Sequence, residues 1–215
     1  MAAQSLAPEI ICADALQWMA ATDTRGPVAT SLPDADEIGA TMGDWRAWFV
    51  GAALACMRLA RPGDRAVFYQ TDRKAGGETH SKAALLLCAA STAGASLLWH
   101  KIALRRPVGA VDLHRPGYTH VMAFGRNSRP GRATPDVFDA GKPLYKNGIG
   151  ANTARFMVSA AGRTDAPLID PFCGRGTLLR VAAEMGFTSI GVDVDPAQCA
   201  AAAAHSSPNL AAMAA

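Results

Sequence analysis

Ile169-Asp-Pro-Phe-Cys-Gly-Arg-Gly-Thr-Leu-Leu179, followed within one helix length by Ser189-Ile-Gly-Val-Asp-Val-Asp195, is the stretch that decides the fold of this chain. Pro167 to Ile169 reads as an apolar strand entering a glycine turn and then a helix, and Ser189 to Asp195 as a second strand ending in acids. This is half of a nucleotide-binding βαβ unit. The step from Gly174 to Asp193 is close to the roughly 20 residues that separate a glycine turn from a ribose-binding acid in such units. Gly174 and Gly176 then let the backbone approach a nucleoside, and Asp193 accepts hydrogen bonds from ribose hydroxyls. A dinucleotide fingerprint, Gly-x-Gly-x-x-Gly, would need glycine at 179, where this chain has Leu.

The wording around the glycines is more specific than the glycines themselves. Asp170-Pro-Phe-Cys-Gly-Arg-Gly-Thr177 resembles the S-adenosylmethionine (SAM) loop of class I methyltransferases, in particular the Asp-Pro-Phe-x-Gly-Ser-Gly-Thr form of amino-methyltransferases acting on nucleic acids. The resemblance implies SAM as cofactor. It places Asp170, Phe172, Gly174, Gly176 and Thr177 around the methionine and sulfonium region, Asp193 at the ribose, and Asp14 beside the adenine. Asp14 reads equally well as a helix cap, because it precedes Ala-Leu-Gln. Asp195 before Pro196 also suits a helix entry.

The order of elements is the second clue. Glu9 to Met19 reads as a short strand passing through Asp14 into a helix, and Gly26 to Asp34 as a strand that breaks at Pro33. Trp45 to about Ala60 is an amphipathic helix, capped by Asp44 or a neighbour and ended by Pro62-Gly63. A strand over Arg65 to Gln70, a turn at Gly76-Gly77, and a helix from Ser81 to about Ala93 follow. Ser96 to Leu104 and Tyr118 to Phe124 read as strands, Asn127 to Lys146 as polar and irregular, and Asn152 to Ala160 as a helix. Taken cyclically from about Asn147, the elements match an α/β, Rossmann-like class I methyltransferase in circularly permuted order. That implies a mostly parallel sheet with one antiparallel strand and helices on both faces. The expected division is a single domain over 1–215, with a catalytic and substrate half over 9–146, a SAM-binding half over 147–205, and a frayed alanine-rich tail over 206–215.

The resemblance is closest to amino-methyltransferases of restriction-modification systems, whose catalytic motif precedes the SAM motif and reads Ser-Pro-Pro-Tyr or Asp-Pro-Pro-Tyr. Here Ser31-Leu-Pro-Asp34 occupies the corresponding place. In that family the first side chain and a backbone carbonyl accept hydrogen bonds from an exocyclic amine, while the terminal aromatic stacks on the flipped base. Ser31 and Pro33 fit the first part. Asp34 replaces the stacking residue, so it serves as a proton acceptor, holds another base edge, or forms a turn. Gln70 and Asp72, at the end of the next strand, are further substrate candidates. His100 reads as a strand residue rather than a catalytic base. Asn147-Gly-Ile-Gly150 reads as a helix entry that can also touch SAM. Arg105, Arg106, Arg115, Arg126, Arg129 and Arg132, with His114 and Tyr118, form a basic region expected to wall the acceptor side and to hold phosphates.

Length and composition bound these readings. A chain of 215 residues with 50% hydrophobic content can bury one ordinary α/β core, and a net charge of +3 permits a polyanionic partner without requiring one. Five scattered cysteines form no Cys-x-x-Cys pair, so neither a metal site nor a disulfide framework is expected. A reduced, cytoplasmic, soluble protein without membrane attachment is the simplest expectation. The function expected is SAM-dependent N-methylation of a nucleic-acid base. RNA is favoured over DNA because the chain has no segment large enough for a separate recognition domain. A small-molecule methyltransferase and an inactive SAM- or RNA-binding protein are the alternatives.

Overall fold

A computed structural model describes residues 6–112, 115–145 and 148–205. His114, Lys146, Asn147 and the tail 206–215, on which expectations were placed, lie outside the described residues. The elements are β1 (Glu9–Cys12), α1 (Ala15–Ala21), β2 (Val28–Thr30), α2 (Met42–Leu59), β3 (Arg65–Gln70), β4 (Arg73–Ala75), β5 (Glu78–His80) and α3 (Lys82–Ala93). They continue with β6 (Ser96–Leu104), β7 (Tyr118–Gly125), β8 (Val137–Asp139), α4 (Ala151–Ala161), β9 (Leu168–Asp170), α5 (Thr177–Glu184), β10 (Ser189–Asp193) and α6 (Pro196–His205).

Eight strands form one sheet in the order β1-β10-β9-β2-β3-β7-β6-β8, and β4 with β5 forms a separate hairpin. Only β7 runs against the others in the large sheet, antiparallel to both β3 and β6. The expected mostly parallel sheet with one reversed strand is therefore present. Its central strands are apolar on both faces because helices cover both. Along β3, Ala66 and Phe68 join a core with Trp45, Phe49, Ala52 and Cys56 of α2. Between them, Val67 points the other way, into a core with Met157 and Val158 of α4 and Leu178 and Val181 of α5. Each fully buried side chain of this size contributes about 1.5–3 kcal/mol.

Several boundaries differ from the sequence reading for local reasons. Helix α2 begins at Met42, because Thr41 rather than Asp44 is the cap: its Oγ1 accepts from the Asp44 amide at 3.3 Å and donates to the Asp44 carboxylate at 2.6 Å. Strand β2 has only three residues, shorter than the expected run to Asp34. Ser81 caps α3, and Gly94 ends it in the left-handed conformation at φ +62°. The segment expected to be irregular contains β8, which pairs parallel with β6 from Ile102↔Val137 to Leu104↔Asp139.

The topology positions the site. Parallel strands β1, β10, β9, β2 and β3 all deliver their carboxyl ends to one edge of the sheet, where open α/β sheets bind ligands. Cys12 at the end of β1 is in register with Asp193 at the end of β10. The first and last strands of the sequence are thus neighbours, and Ala13 donates its amide to the Asp193 carbonyl at 2.9 Å.

Candidate active site

The glycine turn leaves β9 at Asp170 and enters α5 at Thr177. Gly174 has φ +51° and Gly176 φ +78°, values that L side chains rarely adopt. The two glycines do different work. No atom lies within 4 Å of the place a Gly174 Cβ would take, so that face of the turn is open to a ligand. A Cβ on Gly176 would press on Ala202 at 3.0 Å, so this glycine seats α6 against the turn. The sequence reading assigned ligand approach to both; the packing adds a second demand for glycine at 176.

Asp193 fastens the turn from the neighbouring strand. Its Oδ2 accepts from the Gly174 amide at 2.8 Å, and its Oδ1 from the Asp195 amide at 3.0 Å. The carboxylate is thus held at the mouth of the open turn, with lone pairs remaining on both oxygens. Gly191, unremarked in the sequence, is part of the same construction. A Cβ there would overlap Leu179 of α5 and press on Cys173.

Asp170 is buried and accepts from Thr30 Oγ1 at 2.7 Å and from the Phe172 amide at 3.3 Å. Burial pushes its carboxyl up to about 7; the two donors pull against this, and the Asp193 charge adds to it. Phe172 is half-buried, edge-on to Trp48 at 5.7 Å between ring centroids. Thr177 is buried at the head of α5. Asp14 caps α1 through the Gln17 amide at 2.8 Å. It precedes Ala15 and follows Ala13, whose amide meets Asp193, so the helix cap also stands beside the glycine turn. Asp195 accepts from the Ala197 amide at 2.8 Å in the entry to α6.

Ser31 follows Thr30 directly, so the Thr30–Asp170 bond ties Ser31-Leu-Pro-Asp34 to the turn. Ser31 and Pro33 are half-buried, while Leu32 is in the core. Pro33 is anchored through its carbonyl, which accepts from the buried Trp45 Nε1 at 3.1 Å. Asp34 forms an ion pair with Lys82 Nζ at 2.7 Å and lies 3.9 Å from Arg73. Lys82, 3% exposed, places its ammonium 5.7 Å from the centre of the Trp45 ring. Where the resembling family has an aromatic, this chain has a paired carboxylate, and an unpaired Asp34 base is not what the fold presents. Lys82 escaped the sequence reading because lysine at a helix start is ordinarily solvated.

Asp36 joins this corner. Burial raises its carboxyl, yet its own turn amide, Arg73 and, at longer range, Arg115 outweigh that and hold it low. Arg115 itself lies in the connection from β6 to β7, at the carboxyl edge of the sheet. With Arg105, Arg106, Asp112 and Pro116 it lines a pocket. Arg106 pairs with Asp112 at 2.6 Å.

The other arginines of the expected basic wall are elsewhere. Because β7 runs antiparallel, the residues after Gly125 emerge at the opposite edge of the sheet. Arg126 donates to the Ala60 carbonyl at 2.6 Å, and the Arg129 carbonyl accepts from Arg65 Nε at 2.9 Å, at the entrance of β3. Arg132 follows Gly131, which lies against the Arg65 guanidinium. Strand direction thus puts Arg129 at the edge away from the glycine turn, whereas Arg105, Arg115 and Tyr118 lie at the carboxyl edge.

Gln70, 1% exposed, has both carboxamide atoms unpaired among the described residues and sits opposite His120. Asp72 accepts from the Lys82 amide at 2.8 Å and pairs with His120 Nε2 at 3.1 Å. Burial raises its carboxyl, but His120 and the amides of Lys82 and Ala83 hold it low. Tyr145, also missed, donates to the Arg175 carbonyl of the glycine turn at 3.1 Å and stacks on His205 at 5.2 Å. No cluster suited to a metal ion occurs among the described residues, none of their helices is long and apolar enough to cross a membrane, and all five cysteines are free thiols.

No protein-family model and no curated protein matches the sequence. Solved structures do match the fold. A proposed DNA modification methylase from Thermus thermophilus is similar at a TM-score of 0.73 and 18% identity, covering 93% of this chain and 96% of that one. The same protein complexed with S-adenosyl-L-methionine gives 0.71 and 19%, covering 93% and 94%. PvuII DNA methyltransferase, cytosine-N4-specific, gives 0.76 and 15%, covering 94% and 87%. The chain, with its mostly parallel sheet and reversed β7, thus shares its fold with these methyltransferases.

Proposed function

We propose that the protein is a SAM-dependent methyltransferase that methylates an amino nitrogen of a nucleic-acid base, with DNA as the favoured acceptor. The observation that carries this reading is the Thr30–Asp170 hydrogen bond. It joins the strand that ends in Ser31-Leu-Pro-Asp34 to the strand that opens the glycine turn, so a cofactor on the turn and an amine at Ser31 would share one edge. The order of elements supports a circular permutation, since the glycine turn lies near the carboxyl end while β1 completes the sheet beside β10.

SAM supplies an electrophilic methyl group on a sulfonium. The residues of the chain position and polarise. Gly174 leaves the turn open, Asp193 and Asp14 stand at the ribose and adenine end, and Phe172 closes one side. Ser31 accepts from the acceptor amine and concentrates the nitrogen lone pair for in-line attack, while Pro33, pinned by Trp45, keeps the loop in place. Asp34, charge-balanced by Lys82, is suited to accept from a base edge rather than to remove a proton. The nucleic acid enters past Arg105, Arg106 and Arg115, with Gln70 and Asp72 below.

The size objection to DNA loses its force, because a chain named for DNA modification is of similar extent: this chain covers 96% of the Thermus protein at a TM-score of 0.73. Incubation with methyl-labelled SAM and separate pools of DNA, RNA and metabolites tests the reading. Label in DNA is expected; label confined to RNA or to a small molecule overturns the acceptor, and no transfer to any pool overturns the enzyme.

A further inference from the structure

Beyond the Ser31–Asp34 corner three side chains form a hydrogen-bonded line: Asp72, which follows β3, and His120 of β7 and His100 of β6, which share one face of the sheet. Asp72 Oδ2 lies 3.1 Å from His120 Nε2, and His120 Nδ1 lies 2.9 Å from His100 Nε2. Asp72 and His120 are buried, and His100 is exposed. Tyr118 stands edge-on to the His120 ring at 5.3 Å between centroids, and His100 lies 5.0 Å away on its other side.

The partners fix the protons. A carboxylate only accepts, so His120 Nε2 must carry a hydrogen. In the neutral pair His120 Nδ1 is then a lone pair, His100 Nε2 donates to it, and His100 presents the bare Nδ1 to solvent. One added proton reverses the middle bond. When His100 Nδ1 takes it, the Nε2 proton of His100 can move along the 2.9 Å contact to His120 Nδ1, next to the Asp72 carboxylate. The exposed nitrogen has changed from acceptor to donor, with one proton taken up and one bond to hydrogen made at each step for each one broken. Burial holds His100 below the usual imidazole range, the His120 charge lowers it further, and Asp72 opposes both. Among the described residues, Tyr118 on β7 packs on His120, and Lys82 at the head of α3 gives its amide to Asp72 while its ammonium is turned to Asp34.

Resting on the proposed nucleic-acid acceptor, we infer that Asp72–His120–His100 is a proton-loaded phosphate subsite, which continues the Arg105, Arg106 and Arg115 pocket down the face of β6 and β7. Tyr118 bridges the two, since it is paired with Leu104, and the amides of Arg105 and Arg106 both reach the Gly117 carbonyl, at 2.8 and 3.1 Å. His100 and Leu104, the last residue of β6 before the arginines, share a face roughly 13 Å apart at about 3.3 Å per residue, a span that a single nucleic-acid strand can cover. Phosphate favours the donor state of His100, and the strand's binding therefore carries a proton in with it.

Two measurements test this. Histidine nitrogen NMR of the free protein should find hydrogen on Nε2 of both rings near pH 8; hydrogen on His100 Nδ1 overturns the relay without any ligand. Fluorescence anisotropy with a labelled single-stranded DNA at constant ionic strength should show roughly fivefold tighter binding at pH 6 than at pH 8. His100→Gln should abolish most of that difference while leaving SAM affinity unchanged. The full difference surviving in His100→Gln, or a wild-type affinity independent of pH, overturns the subsite and leaves the methyltransferase reading standing. No binding at either pH overturns the subsite and the DNA acceptor together, while transfer of the methyl label still decides the enzyme.

Discussion

Thr30 and Asp170, 140 residues apart in sequence, share a buried hydrogen bond of 2.7 Å that ties β2 to β9 at the mouth of the site. The carboxyl it holds has been pushed up to about 7, chiefly by burial. A group raised in the folded state stabilises the protein fully below its unfolded value near 3.9, and that contribution is lost as pH rises through about 7. Asp170→Asn keeps an acceptor for Thr30 and cannot ionise. Relative to wild type, its unfolding free energy should rise between pH 4 and pH 8 by as much as about 4 kcal/mol, three pKa units at about 1.4 each. Denaturant titrations at several pH values would check this; parallel curves would remove the buried, proton-bearing Asp170.

Asp193→Ala should weaken SAM binding by about 1–3 kcal/mol through loss of charged hydrogen bonds to the ribose. It should also loosen the turn, because the Gly174 amide loses its acceptor. Asp193→Asn retains an oxygen for that amide, so it should recover much of the thermal stability and less of the affinity. Calorimetry and melting on the two variants separate the roles, and SAM affinity unchanged in both would show that Asp193 is only a brace.

Breaking the Asp34–Lys82 pair has a different expected signature. Asp34→Asn should lower turnover much more than SAM affinity, because its contact is with the acceptor. Lys82→Met leaves a partly buried carboxylate with only the more distant Arg73 beside it and should cost about 1–3 kcal/mol of stability, discounted from a fully buried pair because Asp34 is partly solvated. Steady-state assays beside SAM calorimetry decide the first point. Equal turnover in Asp34→Asn would make Ser31-Leu-Pro-Asp34 a structural turn.

The split of the arginines can be read from salt dependence. Arg115→Ala should flatten the slope of log affinity for nucleic acid against log salt by about one unit, as one phosphate contact is lost. Arg129→Ala, on the opposite edge, should leave the slope as it is. Identical slopes for the two variants would contradict the division of the sheet edges.

How much of this was legible depended on whether the signal was local. The glycine turn, its acid and the apolar strands could be read because their residues are close in sequence and follow the periods of helix and strand. The reversed β7 was expected from the resemblance, yet its effect on Arg129 was not drawn, because a run of arginines looks like one patch until strand direction divides it. Lys82 with Asp34, and Asp72 with His120 and His100, were hidden for another reason. Each pairing spans 20 to 48 residues, and no spacing rule connects the residue after β3 to imidazoles on the next two strands of the sheet. Strand β8 has three residues with an exposed valine, too short for alternation to show.

Pairing between β1 and β10, and between β2 and β9, also has a consequence for how the chain is made. The amino-terminal strands leave the ribosome long before their partners, with roughly 150 residues still to be added, which at about 5–20 residues per second means an interval of order 10–30 s. During that time one flank of β2 and the pairing edge of β1 have nothing to bond, while α2 and α3 can already pack on β3. Newly made chains therefore pass through a state in which the acceptor half is compact and the cofactor half is missing, and in that interval exposure to proteases and to chaperones falls on the open edges of β1 and β2.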